Sequence, residues 1–244
     1  MIFDFDTRSS DSPFVQTIYQ SRSSGGGSFT SIAATQWEIV ITKQEGKIIL
    51  SLRGPETKAS PAPIPEDAEF PGIIFKHGTF MPRLPGSELV DEEIHIPETR
   101  KNSFQLFSDT WEFPNFENVE SFVNRLIRKD LLAHDQVVED VLRGKTQDLS
   151  LRSIQRRFLH ITGLTYKSIQ QIERARRAMS LLQSGESIAE TTYQMGFFDQ
   201  PHLTRSLKLL LGQTPAQIVK STNSNDVVFI QDEISLQSYD QVNS

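Results

Sequence analysis

Residues 196–215 read GFFDQPHLTRSLKLLLGQTP, and this stretch predicts a short helix with one buried face. Asp199 is a favourable N-cap, and the proline two positions later falls in the first turn, where a missing amide hydrogen is tolerated. The apolar residues recur at helical spacing and form one stripe: Leu203, Leu207, Leu210 and Leu211. Arg205 lies opposite this stripe, with His202 and Lys208 to either side. The helix can therefore be buried on one face and still present basic and polar groups on the other.

The same arrangement occurs earlier in the chain. Ser150 is the expected N-cap of a helix whose stripe is Leu151, Ile154, Phe158 and Ile161. Arg156 falls opposite the stripe, flanked by Arg152, Ser153 and His160. A third helix, predicted over Ser168–Gln183 and about 24 Å long, joins the two units. This length suits two recognition helices that enter successive major grooves of DNA, about 34 Å apart.

Charge is divided unevenly along the chain, whose formal net charge is −6. Residues 143–220 hold 12 basic and 5 acidic residues, whereas residues 1–142 hold 13 basic and 22 acidic ones. A basic block in an acidic protein is typical of a module that neutralises phosphates. The alternative is chance segregation together with a solvated basic face.

Three stretches of this C-terminal region, residues 150–163, 174–182 and 187–215, resemble the double helix-turn-helix domain of AraC/XylS-type transcription regulators. The most specific part is the run GF-x₇-R-x₂-K-x₃-G-x-TP from Gly196 to Pro215. Two positions depart from the family: Leu207 stands where Phe is usual, and Ile218-Val219 replaces a Tyr-Arg ending. Both are apolar or peripheral changes.

The resemblance implies base-edge roles for Arg152, Gln155 and Arg156 in the first unit, and for Gln200, His202 and Arg205 in the second. Thr204 and Lys208 suit phosphate oxygens. An alternative for Arg156 and Arg205 is an internal ion pair with an acid such as Glu173 or Glu190. The arginines of the connecting helix are left out of the predicted base contacts: Arg174, Arg176 and Arg177.

The first half is strand and turn material, because ten of the 12 prolines precede residue 115. Residues 37–41 and 47–52 predict a hairpin, and further short strands are predicted at 72–75, 89–96 and 104–107. Residues 55–71 are expected to form a long surface loop and residues 21–28 a flexible segment. The resulting fold class is α+β: an antiparallel β-barrel or sandwich, cupin-like, followed by an all-α domain.

We therefore divide the chain into a β-rich sensor or dimerisation domain (1–117), an amphipathic linker helix (118–134), the double helix-turn-helix domain (135–220) and an acidic, disordered tail (221–244). The helix has an apolar stripe that either packs on the β domain or forms a dimer interface: Val119, Phe122, Val123, Leu126 and Ile127. The residue pattern does not decide between these two roles, so both stay open.

An effector site in the β domain is a further prediction, with Arg53, Trp37 and Trp111 as candidate residues for an anionic or flat ligand. The alternative is that the tryptophans belong to the core and the arginine to the surface. The three histidines of this half lack the spacing of a metal site, so no metal or other cofactor is expected: His77, His95 and His134.

The whole chain of 244 residues is 37% hydrophobic and contains no cysteine. No stretch is apolar over the length of a membrane span, and the first residues lack the pattern of a signal peptide, so neither feature is expected. We expect a cytoplasmic, non-enzymatic protein whose partner is double-stranded DNA, acting as activator or repressor. RNA polymerase, a small-molecule effector and a second copy of the chain are further candidate partners, and no membrane is expected. Two alternatives are a β-barrel enzyme, for which no catalytic motif is present, and a protein-binding module that does not read DNA.

Overall fold

The structure is a computed structural model that describes residues 3–221. Its strands are β1 (Phe3–Arg8), β2 (Val15–Ser23), β3 (Gly27–Ser31), β4 (Glu38–Gln44), β5 (Lys47–Arg53), β6 (Ser60–Ile64), β7 (Glu69–Phe75), β8 (Thr79–Phe80), β9 (Glu93–Arg100), β10 (Ser103–Leu106), β11 (Asp109–Glu112) and β12 (Ala133–His134). Its helices are α1 (Val119–Arg128), α2 (Gln136–Leu142), α3 (Leu151–Thr162), α4 (Tyr166–Gln183), α5 (Ile188–Gln194), α6 (Gln200–Leu211) and α7 (Pro215–Ser221). The tail predicted for 221–244 lies outside the described residues, apart from the last residue of α7.

The predicted hairpin is confirmed as β4 and β5, whose antiparallel register pairs Gln44 with Lys47. The two turn residues between them, Glu45 and Gly46, both have positive φ values of 50° and 75°. Two left-handed residues in a two-residue loop give a turn whose twist matches that of the flanking strands. The local sequence therefore sets the register of this central pair.

The hairpin lies within an eight-stranded sheet of order β1-β2-β7-β4-β5-β9-β10-β11 across residues 3–221. Its pairs are antiparallel, as the fold class predicts, but the sheet does not close, so the arrangement is sandwich-like and not a barrel. Successive side chains alternate between its two faces. One face carries the buried core, including Ile39, Ile41, Leu50 and Leu52.

Helix α1 covers this core face. Val119, Phe122, Val123 and Leu126 are buried in the same cluster as the sheet residues. The Phe122 ring meets the indole of Trp111 edge-on, with ring centroids 5.7 Å apart. The apolar stripe of the predicted linker helix is therefore used by the sheet and is not free for a second copy of the chain.

Two segments differ from the sequence predictions. Residues 60–64, expected in the surface loop 55–71, pair with residues 27–31 as the antiparallel ribbon β3–β6. Of the flexible segment expected over 21–28, residues 27 and 28 lie in this ribbon and residues 21–23 in β2. Pro61 and Pro63 are tolerated because they alternate along a strand of a two-stranded ribbon, so their missing N–H groups fall on its unpaired edge. Proline content alone therefore does not exclude a strand, because Pro71, also within the predicted loop, lies in β7 between β2 and β4 of the sheet.

The helical half has its own core, and two residues of the β half complete it. Ile32 and Ala33, which follow β3, are buried together with Phe158, Ile172 and Leu207 of the helices. The two halves therefore share apolar packing. Within residues 3–221 no helix is both long and apolar enough to cross a membrane.

Candidate nucleic-acid interface

The first helix-turn-helix unit consists of α2 and α3. Ser150 caps α3 as predicted, since its hydroxyl accepts a hydrogen bond from the amide of Ser153 at 3.2 Å. The helix ends at Gly163, whose φ of 71° is the left-handed conformation that favours glycine. Phe158 and Ile161 are buried as expected, but Leu151 is 77% exposed. Leu151 therefore does not belong to the buried stripe, because the first turn of α3 extends beyond the core.

The outer face of α3 carries the predicted contacts of this unit. Arg152, Gln155 and Arg156 are all exposed to solvent. The next residue, Arg157, forms an ion pair with Asp135, the N-cap of α2, although its side chain is 44% exposed. Among residues 3–221 neither Glu173 nor Glu190 forms an ion pair with Arg156, so its guanidinium fork faces solvent.

The second unit consists of α5 and α6. Asp199 caps α6, with its carboxylate accepting from the amide of His202 at 2.7 Å, and Gly212 ends the helix at a φ of 73°. The predicted stripe is buried: Leu203, Leu207, Leu210 and Leu211. The opposite side exposes Gln200, Arg205 and Lys208, and leaves Thr204 half-buried.

His202 is held in one orientation by its own helix start. The amide of Phe198 donates to Nδ1 at 3.3 Å, and the ring stands edge-on to Phe197 with centroids 5.3 Å apart. Because Nδ1 accepts this bond, the neutral imidazole carries its proton on Nε2. His202 can therefore offer a hydrogen-bond donor to an acceptor outside the domain.

Helix α4 joins the two units and begins two residues before its predicted start, because Thr165 caps it by accepting from the amide of Ser168. Two of its arginines, Arg174 and Arg176, pack within the protein, whereas Arg177 is exposed. The guanidinium of Arg174 lies 4.5 Å from the centroid of the Phe197 ring. Arg176 is only 9% exposed and donates to the carbonyl of Ala33 at 3.2 Å. Their position agrees with leaving them out of the predicted base contacts.

The three predicted effector residues do not meet at one pocket. Trp37 and Trp111 are buried in the core of the β half, where Trp37 stacks on Phe75. Arg53 instead borders a cavity on the other face of the sheet. The two tryptophans therefore do not lie at the cavity that Arg53 borders, because both fill the core of the β half. No group of three or more His, Asp and Glu side chains in residues 3–221 is placed to hold a metal ion.

Arg53 is held by two carboxylates. Its Nε donates to Glu93 at 2.9 Å, and Glu38 lies 3.9 Å from Nη1. Burial disfavours the charge, but Glu38 and Glu93 more than compensate and raise the pKa of Arg53 above its ordinary value. Glu38 is itself buried and accepts a hydrogen bond from Tyr19 at 2.9 Å.

Sequence reasoning missed the contacts that fix α6 to the β half. The amide of Ala33 donates to the carbonyl of Leu210 at 2.7 Å, and the amide of Ala59 donates to that of Leu209 at 2.9 Å. These contacts join backbone atoms, so no pattern of side chains in the sequence could have predicted them. It also missed Phe198, which is 92% exposed at the start of α6, although an apolar residue inside a helix-turn-helix turn was a usable signal.

Comparison with known proteins agrees with this geometry. Residues 145–221 match a family model described as a helix-turn-helix domain. The helical half is therefore a helix-turn-helix domain of the AraC type, as found in DNA-binding transcription regulators, and the resemblance is confirmed.

A 73-residue stretch is also 34% identical to an uncharacterized HTH-type transcriptional regulator, YidL, of Escherichia coli strain K12. That match covers 30% of this chain and 25% of the relative, so the chain spans about a quarter of the curated relative's length. No solved structure matches the chain.

Proposed function

We propose that this protein is a sequence-specific transcription regulator whose helices α3 and α6 read successive major grooves of double-stranded DNA. The observation that carries the proposal is the pair of capped helices, Ser150 to Gly163 and Asp199 to Gly212, each buried on its apolar side and each exposing an arginine within the matched domain. A regulator of this class needs no catalysis, and DNA as its partner favours a cytoplasmic location.

Each exposed side chain has a role suited to its chemistry. Arg152, Arg156 and Arg205 can fork onto guanine O6 and N7, Gln155 and Gln200 can bridge adenine N6 and N7, and His202 can donate through Nε2. Thr204 and Lys208 bind phosphate oxygens and position the domain. The exposed apolar side chains of Leu151 and Phe198 suit contact with thymine methyl groups.

The experiment compares Arg156→Ala, Arg205→Ala and the wild type by selection from random DNA, followed by titration of the selected site. Each arginine variant is expected to lose about 1–3 kcal/mol on the wild-type site and to relax base preference at positions about one helical turn apart. Arg100→Ala is the matched control, because Arg100 is an exposed arginine on β9.

Unchanged base preference in both arginine variants contradicts the assigned reading faces. If the wild type selects no sequence and shows no salt-dependent binding to mixed DNA, the result favours the alternative of a protein-binding module that does not read DNA. The other alternative, a β-barrel enzyme, has no observation among residues 3–221 in its favour. RNA polymerase and a second copy of the chain stay predictions, as does the choice between activator and repressor.

The second part of the proposal is control by an effector in the β half. A cavity of about 570 Å³ lies between the sheet and the β3–β6 ribbon, within the range of small-molecule sites. The segments that flank this ribbon carry Ala33 and Ala59, whose amides bond the last turn of α6. A ligand that shifts the ribbon can therefore also shift α6, the second recognition helix, through these two hydrogen bonds.

A further inference from the structure

The cavity under the β3–β6 ribbon, called here the ribbon cavity, has a mixed wall. Its floor is the sheet face opposite the main core, with Tyr19 and Ser21 on β2 and Ser51 and Arg53 on β5. Its apolar lining comes from both the sheet and the ribbon: Phe29, Val40, Ile49, Pro61, Ala62, Pro63 and Phe70. The cavity thus suits a ligand with an apolar body and few polar groups.

Two polar atoms on this wall are buried without a hydrogen-bond partner among residues 3–221. They are Oγ of Ser21, a residue that is 1% exposed, and Oε2 of Glu56. The other carboxylate oxygen of Glu56 accepts from the hydroxyl of Ser31 at 2.9 Å, which fixes the group. Buried polar atoms are seldom left unpaired because losing water costs free energy, so Oε2 of Glu56 points to a ligand group that donates a hydrogen bond there. Ser21 lies in register with Phe70, toward the other end of the cavity, and is a separate polar point.

The charge on the wall favours a cation. Four carboxylates line the cavity, Glu56, Asp91, Glu92 and Glu93, against two cations, Arg53 and Lys58. Arg53 is already engaged by Glu93 at 2.9 Å. Burial raises the pKa of Glu56 above its ordinary value, the more so beside Glu38 and Asp91, whereas Ser31 and Arg53 act in the opposite direction. A positive ligand group beside Oε2 would relieve this destabilised charge.

We propose that the ribbon cavity binds a small amine with an apolar body, whose ammonium group donates to Glu56 Oε2. The apolar body lies between the sheet and the prolines of the ribbon. This inference rests on the proposed effector control and names the chemical class of the effector.

The position of Glu56 connects the ammonium site to the DNA-binding half. The backbone of Glu56 forms two hydrogen bonds with Ala34, each 2.9 Å long. The neighbouring Ala33 donates to Leu210 of α6 and accepts from Arg176 of α4. A shift of Glu56 toward a bound ammonium is therefore passed through one residue to both helices.

The test uses the full-length protein and three probes with the same body: cyclohexylmethylamine, cyclohexylmethanol and cyclohexanecarboxylate. Calorimetry should show the amine binding at least about 10-fold more tightly than the alcohol, and the carboxylate most weakly. Glu56→Gln keeps an acceptor for Ser31 and should weaken amine binding roughly 10- to 100-fold. Glu66→Gln, an exposed acid outside the cavity, should leave binding unchanged.

Ser31→Ala provides a second test if Glu56→Gln does not fold, because it removes the hydroxyl that orients Glu56, and it should weaken amine binding. The site is overturned if no probe binds, if the carboxylate binds best, or if both cavity variants bind the amine like the wild type. DNA titration without any probe decides the proposed function separately. Amine binding that leaves DNA affinity unchanged would overturn the route through Ala33 while the amine site stands.

Discussion

Arginine has two opposite uses in the helical half, and the partners of the side chains distinguish them. Arg156 and Arg205 face solvent, whereas Arg157 pairs with Asp135, Arg174 covers an aromatic ring and Arg176 binds a backbone carbonyl. Of these five arginines, Arg156 and Arg205 can reach DNA without giving up a contact that holds the domain together, as can the exposed Arg152. The basic charge of residues 143–220 therefore overstates the number of groups available to phosphates.

Lys208 should act differently from the base-reading arginines. As an exposed cation it is placed to bind phosphate, so Lys208→Ala should weaken binding to all sequences alike. The slope of log K against log salt should become shallower by about one. Titration at several salt concentrations measures this, with the exposed Lys101→Ala as control. A change in base preference would show that Lys208 reads bases instead.

His77 makes stability depend on pH. The Thr35 hydroxyl donates to Glu173 at 2.7 Å and lies 2.9 Å from Nε2 of His77, so the neutral ring donates to Thr35. Burial lowers the pKa of His77, although Glu173 and Glu139 oppose the effect and Arg176 adds to it. The neutral ring is thus favoured in the folded state. Its contribution is present above the ordinary pKa of about 6.5 and is lost as pH falls through the lowered folded value.

Urea unfolding of the wild type and His77→Gln at pH 7.5 and pH 5.5 checks this. The free energy of unfolding of the wild type should fall more on acidification than that of the variant. Equal decreases in the free energy of unfolding of the two proteins would mean that protonation of His77 does not destabilise the folded state.

At the scale of elements, the end of α3 is where the helix meets the β half. A Cβ at Gly163 would lie 2.5 Å from the carbonyl oxygen of Gly86, in the turn Gly86–Glu88. Gly144, after α2, has a similar φ of 75° but open space around it. Alanine substitutions at these two glycines therefore separate the free-energy cost of a left-handed alanine from the cost of a steric clash.

Gly163→Ala should lower the free energy of unfolding by about 2–4 kcal/mol, from a left-handed alanine plus overpacking. Gly144→Ala should cost only about 1–2 kcal/mol, from the backbone alone. Urea denaturation measures both. Equal costs would mean that the contact between Gly163 and Gly86 relaxes freely.

At the scale of the whole molecule, the shared core should make the two halves unfold together. Both tryptophans lie in the β half, whereas six of the seven helices of residues 3–221 follow residue 135. Tryptophan fluorescence and far-ultraviolet circular dichroism therefore report on different halves, and their urea transitions should coincide in the wild type.

Ile32→Ala removes a side chain that is 2% exposed in the helical core and should cost about 2–5 kcal/mol. The dichroism midpoint should fall below the fluorescence midpoint. Val40→Ala, a buried site on the sheet face away from this core, serves as control. Separate transitions in the wild type would contradict cooperative unfolding of the two halves.

Local signals in the sequence determined much of the DNA-binding half. Caps such as Ser150 and Asp199, the left-handed Gly163 and Gly212, and the leucine stripe of α6 are each encoded within a few residues. The hairpin of β4 and β5 was predictable for the same reason, because a short turn between two runs of β-branched and apolar residues joins strands that are neighbours in sequence.

Tertiary structure alone decided which predicted groups meet. Leu151 satisfied the helical pattern but extends beyond the core, and the tryptophans grouped with Arg53 as candidate effector residues are buried on the other side of the sheet. The proline-rich ribbon, the cavity beneath it and the contact of Ala33 with Leu210 join residues far apart in the chain. Periodicity and capping describe interactions between near neighbours, whereas these features depend on long-range packing, which no local pattern records.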